Sequence, residues 1–146
     1  MHSYSKKSKL LFTTKQLYEI IIDVESYPEF LPWCSKCKIV SKLDKNNFDA
    51  ELSVGYKSID EKYTSRVKGI YLSSISSVAI SGPFKVLESN WIFNNLPNDK
   101  KSCEVEFLVK YEFKSFILGK IMGAIFKKAT ERMFTAFENR AKDLYN

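Results

Sequence analysis

The chain has 146 residues, of which 45% are hydrophobic, 14% aromatic and 27% charged. At that length a single domain over residues 1–146 is expected, and folding withdraws roughly 70% of the unfolded surface from water, so a sizeable core forms without covalent staples. A disordered tail and a disulfide miniprotein are excluded.

Lys and Arg number 23 against 17 acidic residues, a formal charge of +6. That balance suits an anionic partner such as RNA or a lipid headgroup surface, and ordinary soluble domains carry it too. Arg occurs only at Arg66, Arg132 and Arg140. Lys lacks the bidentate fork that reads guanine or clamps phosphate, so sequence-specific nucleic-acid readout is disfavoured while nonspecific attraction is not. No stretch reaches the about 20 mostly apolar residues of a membrane span. The start, MHSYSKKSKLLF, has bases but no apolar run of signal length, so cytoplasmic residence is expected, with peripheral contact to the cytoplasmic face of an inner membrane left open. Three cysteines, Cys34, Cys37 and Cys103, fit a reducing compartment. Cys34 and Cys37 have the spacing of a redox pair or half a zinc site. A structural zinc takes about four ligands, and only Cys103 and the terminal His2 remain, so buried or incidental thiols are the simpler reading and no metal is expected.

The segment Tyr4 to Phe12 reads as a strand. Thr13-x-x-Gln16 is a capping box, in which hydroxyl and amide each satisfy a free helix-start N–H. Leu17, Ile20, Ile21 and Val24 follow at helical spacing, which predicts a short helix from Thr14 to Val24. Pro28 can open a helical turn and Pro32 stops it, so YPEFLPWC reads as a second very short helix or rigid turn, dense in Tyr27, Phe30, Leu31 and Trp33.

From there to Glu112 the period is two. Phe48, Ala50, Leu52, Val54 and Tyr56 alternate with polar residues and Lys57; Cys103, Val105, Phe107, Val109, Tyr111 and Phe113 alternate likewise with Glu104, Glu106, Lys110 and Glu112. Weaker strands are read at Lys36 to Leu43, Ile59 to Ile70, Leu72 to Ser81 and Lys85 to Phe93. Turn signals separate them at Lys45-Asn46-Asn47, Gly82-Pro83 and Pro97-Asn98-Asp99. The segment Lys114 to Tyr145 lacks Pro and keeps a helical stripe of Leu118, Met122, Ile125, Ala129, Met133, Phe137, Ala141 and Leu144, long enough at roughly 45 Å to cross the whole sheet. Helix early and late with sheet between is an α+β order, with the long helix on the sheet's dry face.

The chemistry points to a binder rather than an enzyme. The only histidine is the terminal His2, so Cys-His or Ser-His catalysis has no base, and the usual hydrolase, nucleotide and zinc-protease motifs are absent. The carboxylate pairs Asp60-Glu61 and Glu104/Glu106 are weak acid/base candidates, the latter on the wet face of its strand. Phe116, Ile117 and Leu118 together span about 200° of helix surface, more than the roughly 100° stripe one packing face needs. Some of that surface meets a second apolar environment: the Pro-bounded turn, a cavity, a membrane or a partner. Gly119 and Gly123, one turn apart, allow close approach, and Lys120, Lys127 and Lys128 flank the segment, able to meet lipid phosphates.

The run FTTKQLYEIIIDVESYPEFLPWC, with YTSRV at Tyr63 to Val67 and GPFKVLESNWIF at Gly82 to Phe93, resembles the coenzyme Q-binding / ribosome-association toxin family of the START-like, polyketide-cyclase-related superfamily. The resemblance covers nearly the whole chain and implies a helix-grip, birch-pollen-allergen-like fold. In it a curved antiparallel sheet wraps a long C-terminal helix and two short helices close one end of a tunnel. It also implies two activities. One branch binds ubiquinone or a similar isoprenoid lipid, without catalysing a reaction, and supports respiratory electron transfer. The other binds the large ribosomal subunit and blocks subunit joining. A cyclase-type enzyme rests on superfamily analogy alone.

The matched positions are Tyr27, Pro28, Phe30, Leu31, Pro32, Trp33 and Cys34, then Arg66, then Gly82, Pro83, Phe84, Leu87 and Trp91. Most of them read physically as tunnel mouth and wall, with plain core packing the alternative for each aromatic; Arg66, on one strand face with Lys62 and Lys68, reads as a phosphate or headgroup contact or as part of a solvated face. Phe113, Ile117, Ile121, Met122 and Ile125 complete the expected ligand-binding set from the last strand and the long helix. No catalytic cofactor is expected; the bound ligand is an isoprenoid quinone or other lipid.

Overall fold

A computed structural model of the protein describes residues 1–56 and 59–146, with backbone alone at Tyr56 and Ile59; the expectation for Lys57 lies outside the described residues. Seven strands, β1 (His2–Leu10), β2 (Cys34–Asp44), β3 (Asn47–Tyr56), β4 (Ile59–Ile70), β5 (Ser74–Ser81), β6 (Phe84–Leu96) and β7 (Asp99–Phe113), form one sheet in the order β1-β7-β6-β5-β4-β3-β2. All neighbours are antiparallel. Consecutive strands from β2 to β7 are neighbours in the sheet, and a long connection carries the chain from β1 at one edge to β2 at the other. That connection holds α1 (Thr14–Ile22) and a 3-10 turn (Val24–Glu29), and α2 (Phe116–Tyr145) ends the chain.

The capping box forms as expected: the Gln16 N–H donates to the Thr13 hydroxyl at 3.1 Å and the Thr13 N–H to Gln16 Oε1 at 2.9 Å. α1 buries Leu17, Tyr18, Ile20 and Ile21 and packs against α2, β5 and β6. It stops at Ile22, two residues before the predicted end, and the second short helix begins upstream of Pro28 and ends at Glu29, just inside the Pro28–Pro32 window. Pro28 falls in the last turn of this 3-10 segment instead of its first, and the Tyr27 carbonyl closes the turn by accepting from the Leu31 N–H at 2.8 Å.

The period-two readings place the core correctly. Phe48, Ala50, Leu52 and Val54 on β3, and Cys103, Val105, Phe107, Val109 and Tyr111 on β7, are buried. β1 starts and ends two residues earlier than predicted, and the β6–β7 hairpin is longer. Its pairing runs on through polar residues to a two-residue Pro97-Asn98 turn, supported by Asn94 donating to Glu106 at 3.0 Å across the strands.

Ser115 caps α2, its hydroxyl accepting from the Leu118 N–H at 3.2 Å. The buried face of α2 is Met122, Phe126, Ala129, Thr130, Phe134, Phe137 and Ala141. This corrects the predicted stripe: Ile125 is half-buried and Leu144 exposed. The helix is turned to seat Phe126 among Phe84, Tyr111 and Phe113, with ring centroids 5.0, 4.7 and 5.8 Å away.

Candidate functional site: a cavity between the sheet and the long helix

Four successive strands place small residues on the inward face: Ala50 on β3, Ser65 on β4, Ser77 on β5 and Ser89 on β6. Ala50 pairs with Ser65 and Ser77 with Ser89. Larger neighbours, Trp91 on β6 and Phe107 on β7, hold α2 away from this band, Trp91 stacking on Phe134 at 5.9 Å and meeting Phe137 edge-on at 5.2 Å. Between them lies a cavity of about 110 Å³. That approaches the scale of an apolar void of about 150 Å³ that takes up benzene. One ring is therefore the most the space holds as it stands, and substituents or a longer chain must leave through the wall.

The lining is apolar and uncharged, with hydroxyls at defined points. No described lining residue is Asp, Glu, Lys or Arg. The Ser77 and Ser89 hydroxyls bond each other at 2.6 Å, the Thr130 hydroxyl donates to the Lys127 carbonyl at 2.9 Å, and the Tyr27 hydroxyl donates to the Ile21 carbonyl. Ser65 and Tyr63 line the cavity with hydroxyls that have no hydrogen-bond partner among the described residues, and no described polar atom is sealed away unpaired. They lie two residues apart on the same strand face, where a hydroxyl turned into the space is a free donor.

Burial pushes the Tyr27 and Tyr63 phenols well above the usual tyrosine range. It pushes the Cys34 thiol up to about 11 and the Cys37 thiol up to about 12, the latter helped by nearby Cys34, Glu25 and Asp23. All four groups stay protonated at neutral pH, so the site is neutral. Among the described residues no cluster of three or more His, Cys, Asp or Glu side chains is arranged to hold a metal. Such a cavity takes a neutral, largely apolar molecule carrying hydrogen-bond acceptors.

Of the sequence-predicted residues, Tyr27, Leu31, Trp33 and Trp91 line the cavity, as does Cys34. Phe84 and Phe113 sit in the aromatic cluster beside it, and Met122 is buried on α2 outside the lining. Pro28 is half-buried outside it. Phe30 turns to the α1/α2 surface, against Phe137 at 5.2 Å and beneath the Arg140 guanidinium at 5.0 Å. Arg66 lies on the opposite face of the sheet, where Nε and Nη2 donate to the two Asp49 carboxylate oxygens at 3.0 and 3.2 Å. Ile117 and Ile121 are exposed, and with Ile125 they are absent from the lining.

Tyr63, Ser65, Ser77, Ser89, Thr130 and Phe137 line the cavity without having been singled out as ligand contacts. Their signal is serine at inward register positions between large apolar residues, which needs the strand pairing to be seen. Gly82 positions one of them. It has φ +114°, and a Cβ there would stand 2.5 Å from the Tyr63 Cβ and 2.9 Å from the Lys62 carbonyl oxygen, so only glycine lets β4 run past this corner. Tyr63 is then held edge-on to Phe84 at 5.4 Å.

A curved antiparallel sheet gripping a long C-terminal helix over an internal cavity defines the START-like, helix-grip class. A START superfamily protein from Mycobacterium smegmatis superposes with a TM-score of 0.80 at 20% identity, over 99% of each chain. Residues 12–138 match the model of the family described as polyketide cyclase / dehydrase and lipid transport, and the chain belongs to that family. A Rickettsia prowazekii protein named ribosome association toxin RatA is 40% identical over 99% of each chain. A Xenopus laevis protein named coenzyme Q-binding protein COQ10 homolog B, mitochondrial, is 34% identical over 97% of this chain, which spans 59% of that relative's length.

Proposed function

We propose that the protein binds ubiquinone or a similar isoprenoid lipid in this cavity and, without catalysing a reaction, supports respiratory electron transport. The observation that carries the reading is the neutral cavity whose lining includes Ser65 and Tyr63, neither of whose hydroxyls has a hydrogen-bond partner among the described residues. A quinone ring is about the largest group the space holds; one carbonyl oxygen accepts from Ser65 or Tyr63, and the apolar ring meets Trp91 and Phe107. The isoprenoid tail leaves toward the boundary formed by Tyr27, Leu31 and Trp33, where burial at roughly 25 cal/mol per Å² adds affinity without polar contacts. The likeness to the coenzyme Q-binding relative supports the choice of ligand. Organic extraction of the purified protein followed by mass spectrometry tests it: a co-purifying quinone is expected, and its absence, together with no tryptophan quenching on adding one, overturns the reading.

A second reading, a toxin that associates with the large ribosomal subunit and blocks subunit joining, is favoured by the 40% identity to RatA over both full lengths and by the formal charge of +6. Salt-sensitive co-sedimentation with large subunits supports it, and failure to sediment with them at low salt removes it.

A further inference from the structure

The first turns of α2 put apolar side chains where a helix of a water-soluble domain normally carries polar ones. Phe116 is 79% exposed, Ile117 70% and Ile121 50%, with Ile117 and Ile121 on the side of the helix away from Met122 and Phe126 and Phe116 at its flank. Exposed lysines collar them: Lys114 before the helix, Lys120 among them and Lys127 and Lys128 one to two turns behind. The Lys120 ammonium lies over the Phe116 ring at 4.7 Å. No acidic residue occurs between Glu112 and Glu131. Glu112 itself is engaged by Lys85 at 3.5 Å and by the N-terminal amine at 3.3 Å.

We propose that this tip docks the protein on an anionic lipid bilayer, with Phe116, Ile117 and Ile121 inserted among the acyl chains and the lysines among the headgroup phosphates. The pattern separates the candidate occupants. A second copy would bring two sets of like charges together. An RNA backbone would satisfy the lysines but leave the three apolar side chains in water. A bilayer interface satisfies both, since apolar groups sink about 5–10 Å to the acyl boundary while long lysines reach back to phosphate. Among the described residues no helix is long and apolar enough to cross a membrane, so this contact lies on the surface. The docking surface goes beyond the cavity reading and stands on its own observations; together they bring a lipid-binding cavity to the lipid's own phase.

Vesicle co-sedimentation tests the proposal. The protein is expected to bind vesicles containing phosphatidylglycerol, to bind pure phosphatidylcholine vesicles more weakly, and to be released by salt. The combined variant Phe116→Ser, Ile117→Ser and Ile121→Ser should weaken binding at least about tenfold. Changing Lys120, Lys127 and Lys128 to Gln should weaken it roughly fivefold per lysine. These side chains are exposed, so both variants should melt as the wild type does. Failure of the wild type to bind phosphatidylglycerol vesicles, or full binding by the serine variant, overturns the proposal. So does a result in which the lysine variant loses only affinity for a ribosomal RNA probe. Quenching of tryptophan by a short-tailed quinone, read on the same samples without vesicles, reports the cavity separately. Vesicle binding without quenching removes the cargo reading and leaves docking standing, and quenching without vesicle binding does the reverse.

Discussion

Filling the cavity from Ser65 should make the protein more stable and take away its ligand. At ~24 cal/mol per Å³ of void, a space of about 110 Å³ costs the fold about 2.6 kcal/mol. Ser65 is buried on the cavity wall and its hydroxyl has no partner among the described residues, so replacing it breaks no protein hydrogen bond. Ser65→Leu occupies part of the space, and recovering roughly half its cost gives about 1 kcal/mol, or a rise of about 2–4 °C in Tm for a domain of this size. Ser65→Val should give a smaller rise in the same direction and suits a strand position better. The assay is thermal unfolding by circular dichroism, paired with titration of a short-tailed quinone followed by tryptophan fluorescence. Both tryptophans line the cavity, so the signal reports its occupancy. A fall in Tm for both variants, or wild-type quinone binding by Ser65→Leu, would refute the reasoning, because either result means that no usable space faces residue 65.

Gly82→Ala forces a Cβ against Tyr63 and Lys62 at a positive φ; a loss of about 2 kcal/mol or more is expected in denaturant unfolding, with weaker quinone affinity as Tyr63 shifts. Tyr18→Phe removes the bond from its hydroxyl to Asn46 Oδ1 at 2.7 Å, which ties α1 to the β2–β3 turn, and should cost about 1 kcal/mol by the same measurement. Cys34 and Cys37 ionise at about 11 and about 12, whereas an unfolded thiol does so near ~8.5. The native state therefore holds more protons through that interval, so the stability that buried Cys34 and half-buried Cys37 contribute is complete below it and is lost as pH rises toward their folded values. Alkylation by iodoacetamide should be slow at neutral pH and accelerate in alkali, and bound quinone should slow it further at Cys34. Rapid neutral-pH labelling of the native protein would contradict that burial.

The fold was readable where one face of an element is wet. β3 and β7 alternate cleanly because each strand has one buried and one solvated side, and the Thr13–Gln16 capping box marks the start of α1 to the residue. β5 was harder, since Ser74, Ser76 and Ser77 put the same residue type on both faces and only Ile75 is fully buried among them. The cavity was hidden for a related reason. Ser65, Ser77 and Ser89 mean little singly, and become one surface only when β4, β5 and β6 are aligned. The over-wide apolar start of α2 was visible in Phe116, Ile117 and Leu118, but which way it faces was not. The seating of Phe126 against Phe84 and Tyr111 sets the helix rotation, and that turns Ile117 and Ile121 outward, away from the cavity.

The central claim is that an isoprenoid quinone occupies the space walled by Tyr63, Ser65 and Trp91. Its most direct test is the fluorescence titration of wild type and Ser65→Leu with a short-tailed ubiquinone analogue. Saturable quenching at one equivalent in the wild type, lost in Ser65→Leu while the variant melts at the same or a higher temperature, is the expected result. No saturable quenching in the wild type, or the same quenching in both proteins, would contradict it.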